Sequence, residues 1–403
     1  MLTRRDAVAI VNNLKNGTPP PREHVLLLNV GREREIDYFA TKLDELAEVG
    51  TSDVKFVSAQ IGAGKTHFLT ILSSLALERR FVVSKVDLDT RTTRFDHFEE
   101  VYSKLIDGIV TPEEQNDGLS HILEEWARSR AAASETDVHS ELRRIDGLPV
   151  ELRTALLAYW RTVAQSSPEA LTTLDDLRTW LKGEKLSAAQ KKHLGITTVI
   201  GRTNAGVILR GLMGLFRAVG YSGLVVLLDE AEAITSLTRV QDRDTANENI
   251  RSIIDNADKT PGFYFVFATT PSFLDPGSAK GAATYQALYR RIRDPLAGKG
   301  RSLQSTIIEL PALTVDQYRS LARHIRSVVE TSAKGAHSPL TDDQIDRLAE
   351  YAHDRASEQL STLVRATVKV VLESLADPEF DFEATYLFQI EEQIQDFQDR
   401  LVE

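Results

Sequence analysis

Two short runs of this sequence carry residue types spaced for phosphate and metal chemistry. In the first, Ala59-Gln60-Ile61-Gly62-Ala63-Gly64-Lys65-Thr66 joins the apolar run Val54–Ser58 to an apolar-periodic stretch that begins at His67. Gly62 and Gly64 permit backbone angles that turn successive N–H groups toward one concave side. A helix starting directly after them adds its positive end to the same place. Lys65 is then able to reach the β- and γ-phosphates of a nucleotide, and the Thr66 hydroxyl is a hard oxygen ligand for Mg2+. In the second run, Gly223–Leu228 is continuously apolar and ends in Asp229-Glu230. Asp229 at that end can hold the Mg2+ shell, and Glu230 beside it is placed to polarise an attacking water. Together the two runs predict binding of a nucleoside triphosphate with Mg2+, followed by hydrolysis.

One position departs from the G-x-x-x-x-G-K-[ST] pattern: Ala59 stands where the first glycine is expected. A methyl group is tolerated there if φ is negative. The plainer alternatives are a chance G-x-G-K-T on a surface loop and, at Asp229-Glu230, a solvated acidic turn after a strand. The pairing of the two runs argues against both.

These residues need elements to hold them. Val54–Ser58, Phe81–Asp89, Gly223–Leu228, Phe263–Ala268 and Ser305–Leu310 read as strands, and continuous apolar runs are expected for strands buried on both faces of a parallel sheet. Thr269 ends the fourth, where its hydroxyl could orient water or sense the γ-phosphate. Helices are expected at Thr3–Leu14, with Thr3 as cap, and at about Phe95–Ile109, Gly206–Val219, Val315–Val329, Asp342–Asp354 and Leu360–Leu375. Between Thr111 and about Gly195 the sequence is rich in Ala, Glu, Leu and Arg. It exceeds what a crossover between parallel strands requires and reads as a helical insertion. Trp126, Trp160 and Trp180 all lie in it and read as core anchors. Ala384–Val402 carries Leu387, Ile390, Ile394, Phe397 and Leu401 at alternating three- and four-residue spacing, for docking on its own chain or, alternatively, on a partner.

Composition narrows the class. The chain has 403 residues, 42% hydrophobic and 27% charged, which suits a large globular core. With no cysteine, a disulfide framework, a thiol nucleophile and Cys-ligated zinc are excluded. Met1–Asp6 lacks the apolar core of a signal peptide, and no apolar run approaches membrane-spanning length, so a cytoplasmic location without membrane contact is expected. The net charge of −11 argues against non-specific coating of nucleic acid. That charge is uneven: Glu373–Glu403 holds ten acidic residues and one basic, whereas Pro276–Arg301 holds six basic and one acidic. One local basic contact surface therefore stays open.

Five strands with intervening helices, Asp-Glu on the third, Thr on the fourth and an all-helical end resemble the AAA+ class, above all its ORC/Cdc6-like and STAND branch. Gly17-Thr18-Pro19-Pro20, Val30-Gly31-Arg32-Glu33, Ile61–Thr66 and Val83–Asp89 further resemble the small ATP-binding proteins (BrxD-like) of BREX-type phage-defence systems. The resemblance implies ATP and Mg2+ as cofactors, with Val30, Gly31 and Arg32 lying against the adenine, Gly62, Ala63, Gly64, Lys65, Thr66 and His67 around the phosphates, and Thr66 and Asp229 at the metal. It makes Lys65, Glu230 and Thr269 catalytic, offers Arg290 or Arg291 as a finger reaching a neighbouring subunit's γ-phosphate, and offers Arg365 as a lid sensor. A basic helix end and a solvated arginine are the competing readings of the last two. Origin-binding relatives carry a winged helix after the lid, and the acidic residues after Leu375 are not expected to form one.

The expected fold is therefore α/β: a five-stranded parallel P-loop (AAA+-like) sheet over 1–310 with a helical insertion at about 111–195, then a helical lid over 311–403. The expected function is Mg2+-dependent ATP hydrolysis that drives a conformational switch in a DNA-directed defence complex. A regulatory ATP-binding module with little turnover and an ORC-like DNA-binding ATPase are the alternatives. Other defence proteins, a helicase included, DNA, and further copies sharing ATP sites are the expected partners.

Overall fold

The computed structural model describes residues 2–257, 261–293, 302–355, 360–377 and 379–383. The stripe at 384–402 lies outside them. In chain order the helices are α1 (Arg4–Lys15), α2 (Glu33–Val49), α3 (Lys65–Glu78), α4 (Phe98–Asp107), α5 (Gly118–Ser129), α6 (Glu135–Arg144), α7 (Val150–Ala164), α8 (Ala170–Leu181), α9 (Ala188–Leu194), α10 (Ala205–Val219), α11 (Val240–Asp255), α12 (Pro271–Leu274), α13 (Gln286–Ile292), α14 (Val315–Ser332), α15 (Asp342–Arg355) and α16 (Leu360–Ala376). The strands are β1 (Asp53–Ser58), β2 (Phe81–Asp87), β3 (Ile109–Val110), β4 (Gly223–Asp229), β5 (Phe263–Thr269) and β6 (Ile307–Glu309).

The strands form one sheet in the order β3-β2-β4-β5-β1-β6. β2, β4 and β5 pair in parallel, with Asp87 opposite Asp229 and Leu228 opposite Phe267. All five strands read from the sequence are present. A sixth, the two-residue β3, is added antiparallel to β2 at the edge. It is too short to leave an alternation signal. β4 and β5 are buried along their whole length, as continuous apolar runs require.

The chain divides into two compact units. The first gathers 1–38, 58–74 and 309–403. Its core joins Ala7, Ile10 and Leu14 of α1 to Leu321, Ile325 and Val329 of α14 and to Leu363, Val368 and Val371 of α16. Thr3 caps α1 by accepting from the Asp6 N–H, and Thr314 with Gln317 closes a capping box on α14.

The second unit comprises 39–57 and 75–308. Its core runs from the sheet into the insertion, where α5–α9 pack as a helical layer. Trp126, Trp160 and Trp180 are all buried there. The indole N–H of Trp160 donates to the Arg130 carbonyl and that of Trp180 to the Thr198 carbonyl. Anchoring the insertion is what these three side chains do.

Candidate functional site

The candidate residues fall on both units, and each set is built from its own surroundings. In the first unit, Gly62 and Gly64 have φ of +75° and +87°. These angles favour glycine and bend the chain into the loop that precedes α3. Ala59 is not among the described residues with positive φ, so its methyl group meets the condition set for it. α3 begins at Lys65. The Lys65 ammonium is buried and donates to the carbonyls of Ala59 at 3.1 Å and Gln60 at 3.4 Å. Its stem is thereby held over the loop, and the Thr66 side chain is exposed.

Behind the loop the Arg32 guanidinium is 6% exposed and donates to the carbonyls of Pro311 and, at 3.4 Å, Ala63. His67 follows Thr66 on α3, with its ring Nε2 buried and without a hydrogen-bond partner. Burial first, and the Arg32 charge second, push the imidazole down to about 4. It is neutral at physiological pH. Gly31, at φ +66°, lies against Gln317: a Cβ there would stand 2.0 Å from the Gln317 side-chain nitrogen. Val30 is part of the core.

Two contacts of this loop have no sequence signal. The Leu360 N–H, at the start of α16, donates to the Gly62 carbonyl at 2.9 Å, and its side chain sits 3.3 Å from where a Gly64 Cβ would point. Arg365 is on the same helix but is exposed, its Nε donating to the Ser361 carbonyl and its stem beside Gly17. The structure thus brings Leu360, rather than Arg365, onto the loop.

In the second unit, Asp229 closes β4 with 2% exposure. Its Oδ1 accepts the Glu230 N–H at 3.0 Å, and its Oδ2 lies 3.4 Å from the Lys85 ammonium. Glu230 has φ +56° and ψ +38°, a left-handed conformation that L-residues adopt at a cost, and it is exposed. That turn carries the chain off the strand. Thr269 ends β5 fully buried, its hydroxyl without a hydrogen-bond partner. Among the described residues no group of three or more His, Cys, Asp or Glu could hold a metal by itself. The Thr66 hydroxyl and the Asp229 carboxylate are oxygen donors of the kind Mg2+ accepts.

The two finger candidates separate. Arg291 forms a bidentate pair with Asp255 and also donates to the Ala287 carbonyl at 2.7 Å. Arg290 is exposed, with no ion pair among the described residues. No short motif could have told them apart, because Asp255 comes from another helix.

The family described as BREX system ATP-binding protein BrxC/D matches residues 2–389, and the chain belongs to it. It is an ATP-binding protein of a BREX system. No curated protein matches the sequence. Among solved structures it is similar to the ORC2 protein of Aeropyrum pernix in ADPNP–ADP complexes. The identity is 12%, over 85% of this chain and 70% of that one, with a TM-score of 0.36. A likeness so distant carries no conclusion about function. Among the described residues no helix is long and apolar enough to cross a membrane.

Proposed function

We propose that this chain, from its place in the BREX family, is a Mg2+-dependent ATPase of AAA+ type whose nucleotide state moves the helices after β6 and so switches partner binding in phage defence. Lys65 and the loop amides hold the phosphates. Thr66 and Asp229 hold Mg2+, which neutralises charge on the transferred phosphoryl group. Glu230 orients water, with Thr269 beside the reacting phosphate. The partners are other components of the defence system, and DNA is the expected stimulus.

The observation that carries this reading is the loop itself. Two glycines at positive φ lead straight into α3, with the lysine stem already held against the loop. That is the arrangement a phosphate group needs from backbone amides and a helix start. The contact of Leu360 with Gly62 supports the switching part, because a ligand at the loop acts on the first residue of α16.

Single-turnover hydrolysis by the wild type and by Glu230→Gln, with and without DNA, tests it. Retained nucleotide binding with hydrolysis lost in Glu230→Gln is expected. Nucleotide binding without hydrolysis by the wild type under every condition would leave the regulatory ATP-binding module instead.

A further inference from the structure

β2 and β4 lie side by side and parallel, with Asp87 opposite Asp229. Residues two apart on a strand share a face, so Lys85 and Asp87 stand on the side of the sheet to which Asp229 also points. The Lys85 ammonium is 3.3 Å from Asp87 Oδ1 and 3.4 Å from Asp229 Oδ2. The two carboxylates differ in surroundings: the Asp87 side chain is 70% exposed and that of Asp229 3%. An exposed pair is worth little, whereas a buried carboxylate demands a compensating charge. Asp229 Oδ1 is already engaged by the Glu230 N–H, and Lys85 is at the opposite oxygen.

We infer that Lys85 is a built-in counter-cation of Asp229, shared with Asp87, and that a divalent metal arriving with nucleotide takes Asp229 from it and leaves Lys85 to Asp87. The inference rests on the reading of Asp229 as a metal ligand. A lysine suits the task, being a compact point charge on a flexible stem, where a guanidinium would hold the carboxylate by a bidentate fork. The two carboxylates are near enough for a rotation of the lysine stem to exchange them. The backbone need not follow. The Leu88 N–H is bonded to the Asp229 carbonyl at 3.0 Å, and the turn after β2 is fixed by Asp89, which accepts from the N–H groups of Arg91, Thr92 and Thr93. Lys85 thus sets how much metal the site requires, and it keeps the buried carboxylate compensated whichever cation is present.

The test is Mn2+ binding in the presence of a non-hydrolysable ATP analogue, read from the paramagnetic signal of free Mn2+. Lys85→Met is expected to bind Mn2+ about tenfold more tightly, a difference of about 1.4 kcal/mol. Lys85→Arg should stay at or above the wild-type dissociation constant, and metal-free nucleotide affinity should not move. Asp87→Asn, an exposed substitution with little risk to folding, should weaken Mn2+ binding by leaving Lys85 wholly to Asp229. In the Lys85→Met background the same change should do much less. Wild-type or weaker Mn2+ affinity in Lys85→Met, with Mn2+ lost in Asp229→Asn, overturns the counter-cation while the metal-ligand reading stands. Mn2+ retained in Asp229→Asn overturns both. If Lys85→Met fails to fold, the Asp87→Asn arm decides: unchanged Mn2+ affinity overturns the sharing.

Discussion

Leu360 donates its backbone N–H to the Gly62 carbonyl, so α16 starts on the glycine loop that precedes α3. A helix fastened in this way feels any change in loop geometry at its first residue. Leu360→Ala keeps the N–H and removes the side chain from Gly64. Nucleotide-dependent protection of α16 amides in hydrogen exchange should fall, with nucleotide affinity changed by no more than about tenfold. Protection equal to the wild type would show that the side chain takes no part in the coupling.

Gly31 has both a left-handed φ of +66° and no room for a side chain beside Gln317. Gly31→Ala is expected to destabilise by about 2 kcal/mol in equilibrium denaturation. In a Gln317→Ala background, which has already lost the capping bond to the Thr314 N–H, Gly31→Ala should cost only the φ strain, about 1 kcal/mol. Additive effects of the two substitutions would count against the contact.

His67 gives a pH dependence of definite sign. Its folded value of about 4 lies below the ordinary 6.5, so the unfolded chain takes up the proton first. Stability from this group is complete above 6.5 and falls as the pH drops from 6.5 toward 4. The slope is at most about 1.4 kcal/mol per pH unit, the effect of one proton. His67→Gln should flatten the wild-type curve in that window, as followed by thermal denaturation at a series of pH values. Parallel curves would mean that the imidazole titrates normally.

For the arginines, Arg291→Ala should cost up to about 1 kcal/mol, since it breaks the partly exposed pair with Asp255. Arg290→Ala should leave stability within about 0.5 kcal/mol. If Arg290 acts in a neighbouring subunit, its loss lowers hydrolysis by about a thousandfold. Mixing Arg290→Ala with Lys65→Ala subunits should then restore part of the activity. No recovery in the mixture would argue against shared sites.

Thr269→Val separates a structural hydroxyl from a functional one. The hydroxyl is buried without a hydrogen-bond partner, so its replacement should be neutral or stabilising by up to about 1 kcal/mol. Turnover should drop while ATP binding persists. Unchanged turnover would remove Thr269 from the reaction.

The elements that position the site were legible in the sequence because their signals are local. Apolar runs marked β4 and β5, the Gly-Lys-Thr spacing marked the loop, and Thr3 marked the start of α1. What escaped depends on residues far apart in the chain. Leu360 reaches Gly62 only after the units have folded, Lys85 meets Asp229 through strand register, and Asp255 claims Arg291 from another helix. The left-handed turn at Glu230 has no glycine to announce it.

The first unit draws on both ends of the described chain and on the loop between them. A ribosome therefore releases the loop long before α14 and α16 exist, and the sheet and the insertion emerge in the interval. Until translation passes Leu360, the Gly62 carbonyl lacks the partner that closes the loop from that side. A nascent chain can thus complete its sheet unit before the loop at Gly62 has all its contacts, and any property of the loop that depends on Leu360 would arise only after that residue is made.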